Sequence, residues 1–324
     1  MKMEKFKIAI IGNGKVAKAL LNGFLRSFYK KSDILIIGRE NSDLNYFTGR
    51  GIAVSKEMSD VELADEIILA VTPQGIGPQL KRLKGFKFPY LLSLSSGSDR
   101  KKIASYLEVP KEKVVVGTLN TNVHYGKGLI TLHGESESLG KARLLINPLG
   151  KIIFESQKEI FTSIVTIGSM NAFHLRALLI AFKEERIKKS IPLIDWLKDV
   201  FIWLGMENDN LGMAEYPHGE LYSYLTSMSE ILNVDLGYEN GEERVLNTMK
   251  SAILALLSIK NLTVEKVEEH IATVVTKGGC TEKGLAKIQT VDDIISSRIL
   301  WSALEPVSTR AKLFEDEALA SFTE

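Results

Sequence analysis

Short apolar runs alternate with segments of helically spaced apolar residues through the first half of the chain. Runs of this length are typical of buried strands, and the intervening segments of helices that cover both faces of a parallel sheet. The pattern therefore predicts an α/β domain with a mostly parallel sheet. The predicted strands are residues 5–11, 33–38, 52–55, 66–71, 90–95 and 113–119, with antiparallel additions at 128–132 and 151–155.

After residue 157 the apolar residues follow helical spacing alone, as in Leu175, Leu178, Leu179 and Phe182. The chain is also long for a single hydrophobic core. We therefore predict two domains, an α/β domain at 1–157 and an all-α domain at 158–324. The apolar helix faces suit a dimer interface, although periodicity alone fits a monomer core equally well. Further helices are predicted at 243–259 and 292–315.

The turn after the first strand carries the most specific chemistry, because the strand runs directly into Gly-x-Gly-x-x-Ala. Gly12 permits a tight turn, Gly14 permits close approach of the backbone to phosphates, and Ala17 lets the helix pack on the sheet. The helix N-terminus then faces an anion. A strand before and a helix after are the required context, so we predict a Rossmann-type dinucleotide-binding domain. The cofactor-binding residues predicted here are Gly12, Asn13, Gly14, Lys15, Val16 and Ala17.

The end of the second strand indicates which dinucleotide binds. An acidic residue at this point binds the ribose 2′-hydroxyl of NAD, whereas a basic residue suits the 2′-phosphate of NADP. Here Gly38 holds the acid's position, Arg39 offers a charged fork, and Asn41 and Ser42 add hydrogen-bond donors. We therefore predict that NADP(H) is preferred over NAD(H). A strand that ends later would make Glu40 the ribose acid, and that alternative stays open.

The amino-acid composition limits the classes of partner that we expect for this protein. Charged residues nearly balance, with 41 basic and 40 acidic, and no apolar run is long enough to cross a bilayer, so neither nucleic acid nor membrane is an expected partner. A single cysteine, Cys280, excludes an internal disulfide and fits a reducing compartment. The five histidines lack metal-ligand spacing, so no metal is expected. We expect a cytoplasmic protein with a small-molecule substrate.

Six segments, in this order along most of the chain, resemble the pyrroline-5-carboxylate reductase family. The most specific is Thr-Lys-Gly-Gly-Cys-Thr at 276–281, where the family has Ser-Pro-Gly-Gly-x-Thr. The resemblance implies NAD(P)H-dependent reduction of a carboxylated cyclic imine, either 1-pyrroline-5-carboxylate to proline in proline biosynthesis or a related imine. It also implies a homodimer, or a higher oligomer, with interlocked helical domains. The other segments are 10–17, 69–74, 94–97, 119–122 and 168–173.

The resemblance assigns roles to individual residues. Asn120 would position the nicotinamide, and Thr281 would orient near the imine nitrogen; both are candidate catalytic residues. A helix N-cap is an alternative role for Thr281. The substrate-binding residues would be Thr276, Gly278, Gly279, Cys280 and Asn171. Further cofactor contacts would be Val71, Thr72, Pro73, Gln74 and Ser96.

The chain also departs from the family pattern. Its departures are Thr72 for lysine, Asn122, Asn171 and Lys277 for proline, Phe173 for tyrosine, and a longer stretch at 187–241. Two other functions therefore stay open. One is a β-hydroxyacid-type dehydrogenase, disfavoured because the lysine expected after Gly168–Ala172 is missing. The other is a non-catalytic NADP-binding protein derived from a reductase, since fold does not dictate function.

Overall fold

A computed structural model of the protein describes residues 5–154, 156, 164–189, 191–205, 218–235, 240–275 and 280–320. The chain forms two compact units. The first comprises the described residues within Met1–Ile164 and Ala311–Glu324, and the second is formed by those within Val165–Arg310. The observed division falls after residue 164, and the described residues 311–320 group with the first unit.

In the described part of the first unit, eight strands form one sheet in the order β3-β2-β1-β4-β5-β6-β7-β8. The α/β class predicted from the apolar runs is confirmed. The strands are β1 (Phe6–Ile11), β2 (Ile34–Ile37), β3 (Ala53–Ser55), β4 (Ala64–Leu69), β5 (Leu91–Ser93), β6 (Val114–Leu119), β7 (Gly128–His133) and β8 (Gly150–Phe154). The helices are α1 (Lys15–Arg26), α2 (Asn45–Thr48), α3 (Ile76–Leu83), α4 (Arg100–Leu107) and α5 (Ser136–Ile146).

Both faces of the sheet are covered, because alternate residues of each central strand enter different cores. On β1, Ile8 and Ile10 belong to the core that contains α1, whereas Ala9 and Ile11 belong to the core that contains α3 and α4. All four side chains are fully buried. This double burial explains why the strands have continuous apolar runs rather than alternating patterns.

The last two strands run opposite to the first six. β7 pairs antiparallel with β6, through Val116 opposite His133 and the pairs that follow. β8 pairs parallel with β7, and α5 makes the crossover between them. The predicted antiparallel additions are thus confirmed in direction relative to the main sheet, but the two strands are parallel to each other. The short connection after β6 permits an antiparallel return, whereas a parallel pair needs a helical crossover.

The described part of the second unit is helical, as predicted. In its first helix, α6, residues 170–182 are buried apart from half-buried Arg176, with Leu175, Leu178, Leu179 and Phe182 of the predicted face joined by Phe173 on another side. The helices are α6 (Met170–Lys189), α7 (Leu193–Trp203), α8 (Gly219–Glu230), α9 (Gly241–Leu257), α10 (Val264–Val274), α11 (Cys280–Leu285), α12 (Val291–Ile295) and α13 (Ser297–Ala320), of which residues 311–320 are counted with the first unit.

The single helix predicted at 292–315 is instead two helices, α12 and α13. A capping box between Thr290 and Asp293 starts α12, and Ser296 has an extended backbone that ends it. Local hydrogen bonding therefore overrides the helical periodicity at this point. No helix in the part of the chain that the structure describes is long and apolar enough to cross a membrane.

Candidate functional site

The glycine turn after β1 is held against the ends of the two neighbouring strands. Gly12 has a φ of +128°, and a Cβ at this position would lie 2.3 Å from the Ala70 carbonyl oxygen. Its amide donates to the Ile37 carbonyl oxygen at 2.9 Å. Only glycine combines this backbone conformation with this contact. Gly12 therefore fixes the direction in which the chain enters α1.

The N-terminus of α1 is open to an anion. Gly14 caps the helix without a side-chain hydrogen bond, and the first turn contains no acidic residue. A Cβ at Gly14 would meet nothing within 4 Å. Lys15 is exposed beside it, whereas Ala17 is fully buried against the sheet. Free space, the N–H groups of the first turn and the helix dipole suit a pyrophosphate.

The loop after β2 presents the residues predicted to select the cofactor. β2 ends at Ile37, which leaves Gly38 at the position of a ribose-binding acid. The Arg39 amide donates to Ser42 Oγ at 2.9 Å, and the Ser42 amide donates to the Arg39 carbonyl oxygen at 2.9 Å. Arg39, Glu40 and Asn41 are exposed on the resulting turn. Because its oxygen accepts from the Arg39 amide, Ser42 keeps its own hydroxyl hydrogen for another acceptor.

Asn13 links the glycine turn to this loop. Its side-chain amide donates to the Asp43 carbonyl oxygen at 3.1 Å. The predicted pyrophosphate-binding turn and the predicted ribose-binding loop therefore form one continuous surface at the carboxyl ends of the parallel strands. Ligands of open α/β sheets bind at these ends.

A serine joins the ends of β4 and β5. Ser95 Oγ accepts from the Val71 amide at 3.0 Å and lies 3.4 Å from the Leu69 carbonyl oxygen. It holds the segment that begins at Val71, in which Thr72 and Gln74 are exposed and Pro73 is buried. Half-buried Ser96, not Ser95, is the serine to which the family resemblance gave a role. The small-residue turn was a signal for both, but it did not show which hydroxyl reaches β4.

Asn120 lies at the end of β6 and is only 2% exposed. Its Oδ1 accepts from the Leu129 amide at 3.1 Å, and its own amide donates to the Leu129 carbonyl oxygen. The side chain therefore fastens β6 to β7 at the carboxyl edge of the main sheet. A further role in positioning the nicotinamide stays a prediction.

In the second unit, the beginnings of α6 and α11 meet. Thr281 Oγ1 donates to Ser169 Oγ at 3.2 Å. Thr281 is the second residue of α11, so the alternative role as an N-cap is wrong. A Cβ at Gly284 would lie 2.5 Å from the Ala303 carbonyl oxygen and 2.9 Å from Phe173 Cζ, so α11 packs closely on its neighbours. Ser169 had no predicted role.

The other predicted substrate residues are only partly described. Asn171 is fully buried on α6. Thr276, Gly278 and Gly279 lie outside the described residues, and for Cys280 only the backbone, which begins α11, is described. Their proposed contact with a substrate carboxylate therefore stays a prediction.

His174 is excluded from proton transfer by its surroundings. It is fully buried, and Nδ1 lies 2.8 Å from the Tyr224 hydroxyl oxygen. Burial lowers the pKa of His174 to about 3 and raises the pKa of Tyr224 well above its usual value. The imidazole is therefore neutral near pH 7 and serves the packing of α6 against α8.

Comparison with known proteins supports the assignment of the first unit as a dinucleotide-binding domain. Residues 7–97 match the family model described as NADP oxidoreductase, coenzyme F420-dependent. A curated relative, pyrroline-5-carboxylate reductase of Haemophilus influenzae (strain ATCC 51907 / DSM 11121 / KW20 / Rd), is 21% identical over 197 residues, which cover 58% of this chain and 72% of the relative. The first unit thus has the fold and the glycine turn of nicotinamide-dependent oxidoreductases.

Solved structures extend the likeness to the whole chain. Plasmodium falciparum pyrroline carboxylate reductase, crystallised with NADP, is 18% identical, with a TM-score of 0.52 and coverage of 97% of this chain and 99% of that one. The Streptococcus pyogenes 1-pyrroline-5-carboxylate reductase is 18% identical, with a TM-score of 0.51 and coverage of 96% and 99%. The chain therefore has the fold of pyrroline-5-carboxylate reductases, and the resemblance predicted from its motifs is confirmed at this level.

Proposed function

We propose that the protein is an NADP(H)-dependent reductase of a carboxylated cyclic imine, 1-pyrroline-5-carboxylate or a related imine. The observation that carries the proposal is the glycine turn, in which Gly12 admits no side chain and Gly14 faces open space at an acid-free helix N-terminus. The whole-chain likeness to pyrroline-5-carboxylate reductases supports the substrate class.

The residues present fit the cofactor. The amides at the start of α1 would hold the pyrophosphate, and Arg39 with Ser42 would hold the 2′-phosphate. The lack of an acid at Gly38 removes the charge repulsion that a 2′-phosphate meets in an NAD site. When bound, the cofactor supplies the hydride.

The remaining chemistry asks little of the protein. The carbon of a protonated imine is already electrophilic, and its reduction leaves a neutral amine, so no side chain must remove a proton during the step. The task of the protein is to orient the imine and exclude water. Thr281 would hold the imine nitrogen. In the structure its hydrogen points to Ser169 Oγ. This orientation leaves a lone pair on Thr281 Oγ1, which would accept from the N–H of the protonated imine.

The substrate proposal is tested by NADPH oxidation with a panel of imines. We expect turnover of 1-pyrroline-5-carboxylate or its six-membered homologue, and at least about tenfold lower kcat/KM for the same rings without the carboxylate, since a lost charged contact is worth more than 1.4 kcal/mol. Cofactor binding without oxidation of any imine would favour the non-catalytic alternative. Oxidation of a β-hydroxyacid instead would favour the dehydrogenase alternative.

The cofactor proposal has its own test. We expect a lower KM for NADPH than for NADH, and loss of most of this difference in Arg39→Ser. Glu40→Gln is the matched control, because it alters the neighbouring exposed residue and should leave the NADPH preference in place. A wild-type preference for NADH that Glu40→Gln abolishes would assign the ribose to Glu40 instead.

Assembly and location complete the proposal. We propose a homodimer through the second unit, on the basis of the family resemblance and the exposed Ile194 and Ile202 of α7. We also propose a cytoplasmic enzyme of proline biosynthesis. Light scattering during size-exclusion chromatography measures the oligomeric state, and a monomeric mass at micromolar concentration would contradict the homodimer. Complementation of a proline auxotroph tests the role in proline biosynthesis.

A further inference from the structure

One arginine joins three segments next to the predicted cofactor loop. The Arg82 guanidinium, on α3, donates through Nη1 to the Gly38 carbonyl oxygen at 3.1 Å and through Nη2 to the Lys56 carbonyl oxygen at 2.6 Å. Nη1 also donates to Gln79 Oε1 at 2.8 Å. Gly38 directly follows β2 and Lys56 directly follows β3. A single planar group therefore fixes the ends of two strands to α3, a geometry that lysine cannot reproduce.

Gly38 is fully engaged by these neighbours. Its carbonyl oxygen accepts from Arg82, and its amide donates to the Ser55 carbonyl oxygen at 3.0 Å. A Cβ at Gly38 would lie 3.0 Å from Leu44 Cδ2 and 3.1 Å from Ser42 Cβ. An acid of the type that binds the NAD ribose cannot be placed here unless Leu44 or Ser42 moves. The position of Gly38 thus determines the position of the turn that carries Arg39.

The far end of the same loop is also fixed. Asn22 Nδ2 donates to the Tyr46 hydroxyl at 2.8 Å, which attaches α2 to α1. The Arg50 guanidinium lies over the Tyr46 ring, 3.7 Å from its centre. Both ends of the loop are therefore anchored to regular structure, and the turn at Arg39–Asn41 between them is exposed. A loop held in this way loses little conformational entropy when it binds a ligand.

We propose that Arg82 is a positioning residue that determines selectivity for the 2′-phosphate. By holding the Gly38 carbonyl, it places the Arg39 side chain and the Ser42 hydroxyl where they meet the phosphate together. Three of the five guanidinium N–H donors of Arg82 are engaged by Gly38, Lys56 and Gln79, so the role proposed for Arg82 is to hold the loop rather than to bind the phosphate. The inference rests on the proposed NADP(H) site and adds the element that preorganises it.

The test is calorimetric binding of two ligand pairs, NADP⁺ with NAD⁺ and 2′,5′-ADP with 5′-AMP, to the full chain. In Arg82→Met, we expect Kd for the two 2′-phosphate ligands to rise about 10- to 100-fold, the range for a lost charged hydrogen bond, and less than about threefold for the other two. Arg82→Lys should be intermediate. Arg143→Met, an exposed arginine on α5, is the matched control and should change neither pair.

The outcomes separate the two claims. A wild-type protein that binds NAD⁺ as tightly as NADP⁺, or binds neither, contradicts the cofactor proposal and this inference with it. A wild-type preference for NADP⁺, combined with equal losses for both pairs in Arg82→Met, overturns only the inference and leaves Arg82 a structural residue. If Arg82→Met unfolds, Arg82→Lys gives the same comparison. A ratio of Kd for NAD⁺ to Kd for NADP⁺ that is the same in Arg82→Lys as in the wild type would then contradict the inference.

Discussion

The Thr281 hydroxyl donates a hydrogen bond to the Ser169 hydroxyl across 112 residues of sequence. The contact joins the start of α11 to the residue that precedes α6, and so brings together two segments that the family resemblance identified separately. A hydroxyl pair of this kind can exchange donor and acceptor roles without moving any heavy atom. In the observed orientation Thr281 Oγ1 keeps a lone pair, which in the proposed reductase would accept from the N–H of a protonated imine.

Replacement of these hydroxyls should lower turnover without affecting cofactor binding. We expect Thr281→Ala to lower kcat by roughly 100-fold, at the low end for a group positioned at a reacting nitrogen, and Ser169→Ala by about tenfold. Thr281→Ser retains the hydroxyl and serves as the control. Steady-state kinetics with the best imine of the panel gives both values. An unchanged kcat in Thr281→Ala would remove this hydroxyl from the mechanism.

The two glycines of the cofactor turn should respond differently to alanine. Gly14→Ala places a methyl group in open space, so its free energy of unfolding should change by less than about 1 kcal/mol, the cost of a poorer N-cap. Its Kd for NADP⁺ should nevertheless rise at least about tenfold, because the methyl occupies the approach of the phosphates. Urea unfolding and calorimetry measure the two effects.

Gly12→Ala is the comparison, since the new Cβ would meet the Ala70 carbonyl oxygen and the backbone is left-handed. This variant should lose both stability and binding. If Gly14→Ala bound NADP⁺ normally, the phosphates would not lie over that residue.

A second pair of glycines tests packing apart from function. Gly23, inside α1, faces the loop after β6, and a Cβ there would lie 2.2 Å from the Val123 carbonyl oxygen. We expect Gly23→Ala to destabilise the protein by about 1–3 kcal/mol, as overpacking does. Gly140→Ala, in the exposed side of α5 with nothing within 4 Å, should stabilise it by about 0.5–1 kcal/mol. Similar urea midpoints for the two variants would contradict the close contact at Gly23.

Burial of His174 should make stability depend on pH. Its pKa is about 3 in the folded protein, against an ordinary value of 6.5. Between these values the unfolded chain binds a proton that the folded protein excludes, so stability falls as the pH falls. At about 1.4 kcal/mol per pKa unit, we expect this group alone to lower the free energy of unfolding by about 2 kcal/mol between about pH 7 and pH 5.

His174→Gln should lack this part of the pH dependence, which urea unfolding at several pH values measures. Tyr224→Phe is the control, because it removes the hydrogen bond to Nδ1 but leaves the buried imidazole. It should keep the slope while losing about 1–3 kcal/mol at every pH. An unchanged slope in His174→Gln would place the titration on another group.

Most of the sheet was predictable because strands that are buried on both faces consist of continuous apolar runs. Each of the eight strands lies within two residues of its predicted range. The glycine turn was predictable for the same kind of local reason. The break between two helices at Ser296 could not be predicted, because the helical spacing of apolar residues continues across Ser296. The capping box at Thr290 and Asp293 overrides that spacing.

The supporting contacts of the site could not be predicted from the sequence. Arg82 reaches a carbonyl oxygen 44 residues away, and Ser95 reaches an amide 24 residues away. Neither partner is a side chain, so no pairing of residue types reveals it. Such contacts depend on the three-dimensional arrangement of strand ends, which only the folded backbone defines.

The burial of opposite faces of residues 170–182, in α6, has a consequence for the chain as it leaves the ribosome. The sheet of the first unit needs only a continuous stretch up to residue 154, together with its intervening helices, and is available early in synthesis. The helices that cover α6, from α8 to α12, come after it in sequence. Until they emerge, apolar side chains on opposite faces of residues 170–182 face water. Translation therefore passes through a stage in which a complete sheet precedes an uncovered helix that molecular chaperones would recognise.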